Sequence, residues 1–235
     1  MQYYMSTKNT KSVRKPAPGT QYPVAMVWAA AVAAHHINDN RYVKTPEWDY
    51  QSEPPVLKFK TNREVFAELL ANPDRLTADD YAAGKDCLDW IRGDITFRAL
   101  KNQLTDFDLS VQSVLAVSDN FDSNINKLAM AVVPCLPASH ARGVARAEVD
   151  ARLRQTESEY VDNIGNKVTL EVEIIKAAYS TNYNVWFVTA VDTANRSVFF
   201  SYRSQLVTGS TAKITGTVKA HRDNNTTQLN RVKVI

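Results

Sequence analysis

Glycine is scarce in this sequence, at seven of 235 residues, and cysteine is scarcer, at two. So few glycines leave little room for a loop that cradles phosphate, and neither G-x-x-x-x-G-K-[ST] nor G-x-G-x-x-G occurs. The H-E-x-x-H pair of a zinc protease and the G-x-S-x-G elbow of a serine hydrolase are missing too. These absences speak against an enzyme, and no catalytic residue or cofactor is expected. Cys87 and Cys135 have no partner at metal-ligand spacing and read as buried thiols of a reducing compartment. His35, His36, His140 and His221 stand near no cysteine and no second ligand, so no metal site is expected either.

Long hydrophobic runs are also lacking. The run from Val24 to Ala34 has 11 residues, far short of the roughly 20 that a helix needs to cross a bilayer. Arg14 and Lys15 precede it as in a secretory signal, but the run is mostly alanine, has no leucine and follows Pro16, Pro18 and Pro23. A buried helix fits better, because proline has no donor to lose at a helix start and alanine is the best helix former. The expectation is a cytoplasmic protein with no membrane partner.

What is present is an ordinary globular composition, 44% apolar and 23% charged, which excludes general disorder, a collagen-like repeat and a disulfide scaffold. The formal charge of +3 is unevenly placed. Residues 1–24 carry four Lys/Arg and no acid, residues 25–162 carry 15 against 21, and residues 163–235 carry nine against four. A basic start, an acidic middle and a basic end suggest that the last segment meets a polyanion while the middle does something else.

Residues 1–22 show no periodicity and read as a basic tail. Residues 23–160 read as mainly helical. Thr61 or Asn62 caps a helix through Leu70, and Thr77 with Asp79 and Asp80 starts a longer one that Gly84 weakens and Gly93 threatens to break. Further helices are expected over Asp106–Val117 and Asn124–Val133, the latter stopped by Pro134 and Pro137. Arg142–Arg154 reads as a charged helix with little apolar face, either a solvated linker or a surface that meets something. Asp79, Asp80, Asp86, Asp89 and Asp94 are the densest acidic set; they form either a helix surface or the carboxylates of a nuclease, and helical spacing spreads them over different faces.

Near Asn163 the apolar period changes from 3.6 to 2. Five alternating segments follow, centred on Val168–Ile174, Val185–Val191, Val198–Tyr202, Ile214–Val218 and Thr227–Ile235, the last slipping near Asn230 as at a bulge. Gly165 and Gly216 mark expected points of close backbone approach. The fold class expected is α+β, a helical N-terminal domain followed by a small antiparallel five-stranded barrel over residues 164–235, with an SH3-like barrel as the competing architecture.

The strand pattern Gly216-Thr-Val-Lys219-Ala-His221 followed by Thr227-Gln-Leu-Asn-Arg231-Val-Lys233 resembles the final hairpin of OB-fold domains in phage-type replication proteins. The helical part resembles only uncharacterised phage proteins. The resemblance implies an OB-like barrel that binds single-stranded nucleic acid, usually DNA, in replication or recombination, over strands two and three and their loops. Partner proteins of that machinery are then expected at the helical domain. The residue chemistry agrees, since a sequence-tolerant single-strand site needs cations for phosphates and flat rings for bases. The candidates are Lys176, Tyr179, Tyr183, Trp186, Arg196, Phe199, Arg203, Lys213, Lys219, His221, Arg222 and Arg231. Alternation with Val185, Phe187 and Val191 inward would turn Trp186 outward beside Phe199, where both either stack on bases or pack against the helical domain. A protein-interaction module and a nuclease accessory subunit are the alternatives.

Overall fold

In the computed structural model residues 18–157 and 159–235 are described, and the chain divides into two compact units between Arg142 and Gly143. The expected basic tail lies outside the described residues up to position 17. Its end is held in place: Gly19 N donates to both carboxylate oxygens of Asp122 at 3.0 Å, and β1 (Gln21–Pro23) pairs antiparallel with β4 (Asn120–Asp122).

The first unit is built round α1 (Val24–Ile37), in which every residue from Val27 to His35 is buried. Five of those nine are alanine, so the helix is slim enough to be covered on all sides. It packs on α2 (Asn62–Ala71), α3 (Ala78–Leu100) and the turn Val133–Cys135. A Cβ on Gly84 would stand 2.7 Å from Ala29 N and 2.8 Å from the Trp28 carbonyl carbon, so the glycine lets α1 and α3 touch. α2, α3 and α4 (Asp106–Leu115) each begin with a reciprocal cap, Thr61 with Glu64, Thr77 with Asp80 and Thr105 with Asp108. α5 (Lys127–Val132), a short turn at Pro73–Arg75 and the hairpin of β2 (Glu47–Asp49) with β3 (Val56–Phe59) also belong to this unit, whereas α6 (Leu136–Arg154) begins in it and continues past residue 143 into the second.

Two expectations about helix ends fail. Gly93 does not break α3, because the packing of Ile91 and Ile95 on the core holds the helix on both sides of it. Pro137 does not stop a helix but stands in the first turn of α6, where its missing N–H costs nothing. Three of the five aspartates of α3 are used locally: Asp80 caps, Asp89 pairs with Lys85 and Arg92, and Asp94 pairs with Arg98. Cys87 is fully buried, which pushes its thiol up to about 12, and Cys135 is half-buried.

The second unit is a closed barrel of β5 (Lys167–Ser180), β6 (Val185–Asp192), β7 (Ser197–Tyr202), β8 (Thr211–His221) and β9 (Thr227–Val234), in the order β5-β6-β7-β9-β8. It is not antiparallel throughout, since β7 and β9 run parallel through Val198 with Thr227 and Phe199 with Gln228. Direction cannot alternate round a closed ring with an odd number of strands, so one neighbouring pair must be parallel. The long β5 serves both halves of the barrel: residues 167–173 pair with β8 and 172–180 with β6, and a register shift between Ile174 and Lys176 lets it bend.

The slip expected near Asn230 is present. Thr215 pairs with Lys233 and Thr217 with Asn230, so Arg231 and Val232 together face Gly216, and Arg231 takes a φ of 53°. Gly216 meets Val232 at 3.0 Å from an added Cβ, the close approach expected of it. Gly165 has open space instead, and what it supplies is a φ of 95° before the first strand.

Candidate nucleic-acid interface

Strand register decides which side chains share the outer face of the barrel. On β6 Val188 and Ala190 are fully buried in the barrel core and Trp186 packs against that core, while Val191, also buried, lies outside it. The inward set is therefore the even-numbered one, and Trp186 does not face outward as the expected alternation had it. Phe187 does. Thr189, the lone polar residue in the middle of β6, carried the signal for this parity, and the exposed Ser201 on β7, opposite Phe187, repeats it.

Across the sheet, Lys176 on β5 stands opposite Thr189, which stands opposite Phe199, which stands opposite Gln228 on β9. In the next row Ala178, Phe187 and Ser201 align. Phe187 and Phe199 are therefore diagonal neighbours on one face, their rings 5.8 Å apart and 25° from parallel. Tyr183, 71% exposed in the β5–β6 loop, meets Phe187 edge-on at 5.9 Å. From the β8–β9 loop Arg222 lays its guanidinium over Phe199 at 4.1 Å, held by hydrogen bonds of 3.1 and 3.2 Å to Gln228 Oε1. A row of flat groups, Tyr183–Phe187–Phe199–Arg222, thus runs between two loops, with Lys176 beside it and exposed Arg203 just past β7.

The other candidates lie elsewhere. Tyr179 and Trp186 are cross-strand partners 5.3 Å apart beside the β5–β6 loop, Tyr179 exposed and Trp186 half-buried, with Tyr202 opposite Trp186 and the Tyr179 hydroxyl donating to Asn184 Oδ1. Arg196 is committed to Asp192 at 2.7 Å. His221 stacks on Tyr160 at 4.0 Å and donates from Nε2 to the Asp162 carbonyl at 2.8 Å. The Asp162 carboxyl, which accepts from Asn166 Nδ2 and Asn163 N, is held below the usual carboxylate range by those bonds. Lys213 and Lys219 are exposed on β8 and Arg231 on β9, and Lys213 stands opposite Glu171. Sequence reasoning missed Phe187, through the parity of β6, and Gln228, which has no charge or ring to attract notice.

A cleft of about 440 Å³ opens where Arg152 meets β5 and β6, lined by Glu171, Glu173, Asp192 and Asn195 among others. Its one arginine is spent on Glu173 and Asn195, Asp192 is paired with Arg196, and the Glu171 carboxylate repels phosphate, so it does not compete as a site for a polyanion.

No family model, curated protein or solved structure matches this chain. Among the described residues no helix is long and apolar enough to cross a membrane.

Proposed function

We propose that the C-terminal barrel is an OB-like domain and that the chain binds single-stranded DNA through the outer face of β5, β6 and β7, in replication or recombination of the phage type. The observation that carries this is the row of three rings and one guanidinium between the β5–β6 and β8–β9 loops. In five-stranded barrels of the OB kind the face of strands two and three and these same loops hold oligonucleotides. A row of rings, Tyr183 exposed and Phe187 and Phe199 half-buried, suits bases of any identity, and Lys176, Arg203 and Arg222 supply charge for the phosphates. Recruitment of partner proteins is assigned to the acidic helical unit.

Fluorescence anisotropy with labelled oligo-dT, oligo-U and a duplex tests it. Binding to oligo-dT well above duplex is expected, with log K falling by roughly 0.7 per decade of salt for each phosphate contacted, a slope near −2 for three cations. Equal binding to duplex would remove the stacking argument, and stronger binding to oligo-U would transfer the function to RNA.

A further inference from the structure

We propose that Arg222 is a displaceable cover on the Phe199 ring, occupying in the free protein the place a base takes in the complex; the inference rests on the single-strand function proposed above. A guanidinium carbon 4.1 Å from the ring centroid is at the separation of a stacked layer, so that face of Phe199 is already filled. No base can stack there while Arg222 remains.

The contacts allow the side chain to leave without disturbing the loop. The backbone at Arg222 is fixed: its N–H donates to the Thr226 carbonyl at 3.0 Å, and its carbonyl accepts from Asn225 N at 3.1 Å and from the Tyr160 hydroxyl at 2.8 Å. The side chain is held more lightly. Its hydrogen bonds go to the neutral amide oxygen of Gln228, and among the described residues it has no carboxylate partner, unlike Arg196 and Arg152 in the same unit. An approaching strand offers two better contacts at once. A phosphate is a charged acceptor that outcompetes the amide, and a base covers the ring more fully than a guanidinium does. Binding then exchanges partners: Arg222 moves from ring to phosphate as a base moves onto the ring. The cover also hides an aromatic surface that would otherwise face water in the unliganded protein.

The exchange is read directly from the Arg222 Nε–Hε resonance in the full chain, identified by its loss in Arg222→Lys. In the free protein the ring current of Phe199 shifts it upfield, and saturation with oligo-dT is expected to return it to the ordinary arginine position. A resonance that stays upfield with oligo-dT bound would overturn the cover while leaving single-strand binding intact. Salt titration gives a second readout. Arg222→Ala is expected to lower the salt slope by about 0.7, one phosphate contact, and at high salt to bind oligo-dT about two- to fivefold more tightly than wild type, the worth of an exposed cation–π contact no longer broken. Adding Phe199→Ala should abolish that gain. Weaker binding of Arg222→Ala at every salt concentration would mean that bases stack on the guanidinium itself, and the cover would be wrong. If the wild-type chain bound no oligo-dT at all, the single-strand function would fail first and the cover with it.

Discussion

The two units differ in how many of their cations are paired. In the helical unit five of the twelve described cations, Arg41, Lys60, Lys85, Arg92 and Arg98, have a carboxylate within 4 Å, as suits a region with surplus acid. In the barrel unit only Arg152 and Arg196 do, among the described residues, and Lys176, Arg203, Lys213, Lys219, Arg222, Arg231 and Lys233 have no ion-pair partner. Packing differs as well. Alanines and one glycine bring α1 and α3 into backbone contact, whereas the barrel is filled by residues such as Ile174, Phe200 and Ile214 and turns further rings outward. In the helical unit the alanines make room for larger side chains, with Trp28 and Phe121 fully buried in the same core. The unpaired cations beside the rings of the barrel are what the proposed single-strand function rests on.

The contrast can be broken most forcefully on β6. Trp186→Ala should lower barrel stability by about 2–3 kcal/mol, somewhat below the loss at a fully buried tryptophan because the side chain is half-buried, and leave oligo-dT affinity of the folded protein nearly unchanged. Phe187→Ala should do the reverse, weakening binding by about 1–3 kcal/mol, the worth of one stacked base, at nearly constant melting temperature. Thermal melts and anisotropy on the two variants check both, and exchanged outcomes would put the parity of β6 back where alternation first suggested it.

Gly84→Ala comes next. Alanine is the better helix former by about 1 kcal/mol, yet backbone atoms of α1 under 3 Å away force a shift, and a net loss of about 1–2 kcal/mol in the helical unit is expected by denaturant titration. A smaller effect separates the units by pH. His35 is buried with Nε2 unpartnered, and burial first, then His36, Arg142 and His140, lower its pKa from the ordinary 6.5. The unfolded chain therefore takes up this proton first as pH falls. The stability of the helical unit should be intact above about 6.5 and fall below it, as melting curves between pH 7.5 and 5.5 would show. His35→Leu should flatten most of that fall, with His140, whose pKa burial also lowers, keeping a share. Smallest is Gly93→Ala, where nothing lies within 4 Å and the same helix should gain about 0.5–1 kcal/mol, opposite in sign to Gly84→Ala.

Periodicity, caps and charge are local or additive properties, and the chain alone determined what depends on them. The change from helices to strands near Asn163 is of this kind. So are the starts at Thr61 and Thr77, the helix from Asp106, the five strands and the slip near Asn230, since each rests on hydrogen bonds or side-chain alternation within a few residues. The tertiary structure decided what depends on partners distant in sequence. Gly84 and Gly93 look alike in the chain, but only one has α1 against it. The parallel contact of β7 with β9 follows from closing the ring, a condition no single strand carries. Trp186 and Phe187 are adjacent and both aromatic, and a one-residue choice of parity sends one inward and the other to the surface. That choice is made by the cross-strand register with β5 and β7, which then brings Arg222, 35 positions further on, to the same row of rings.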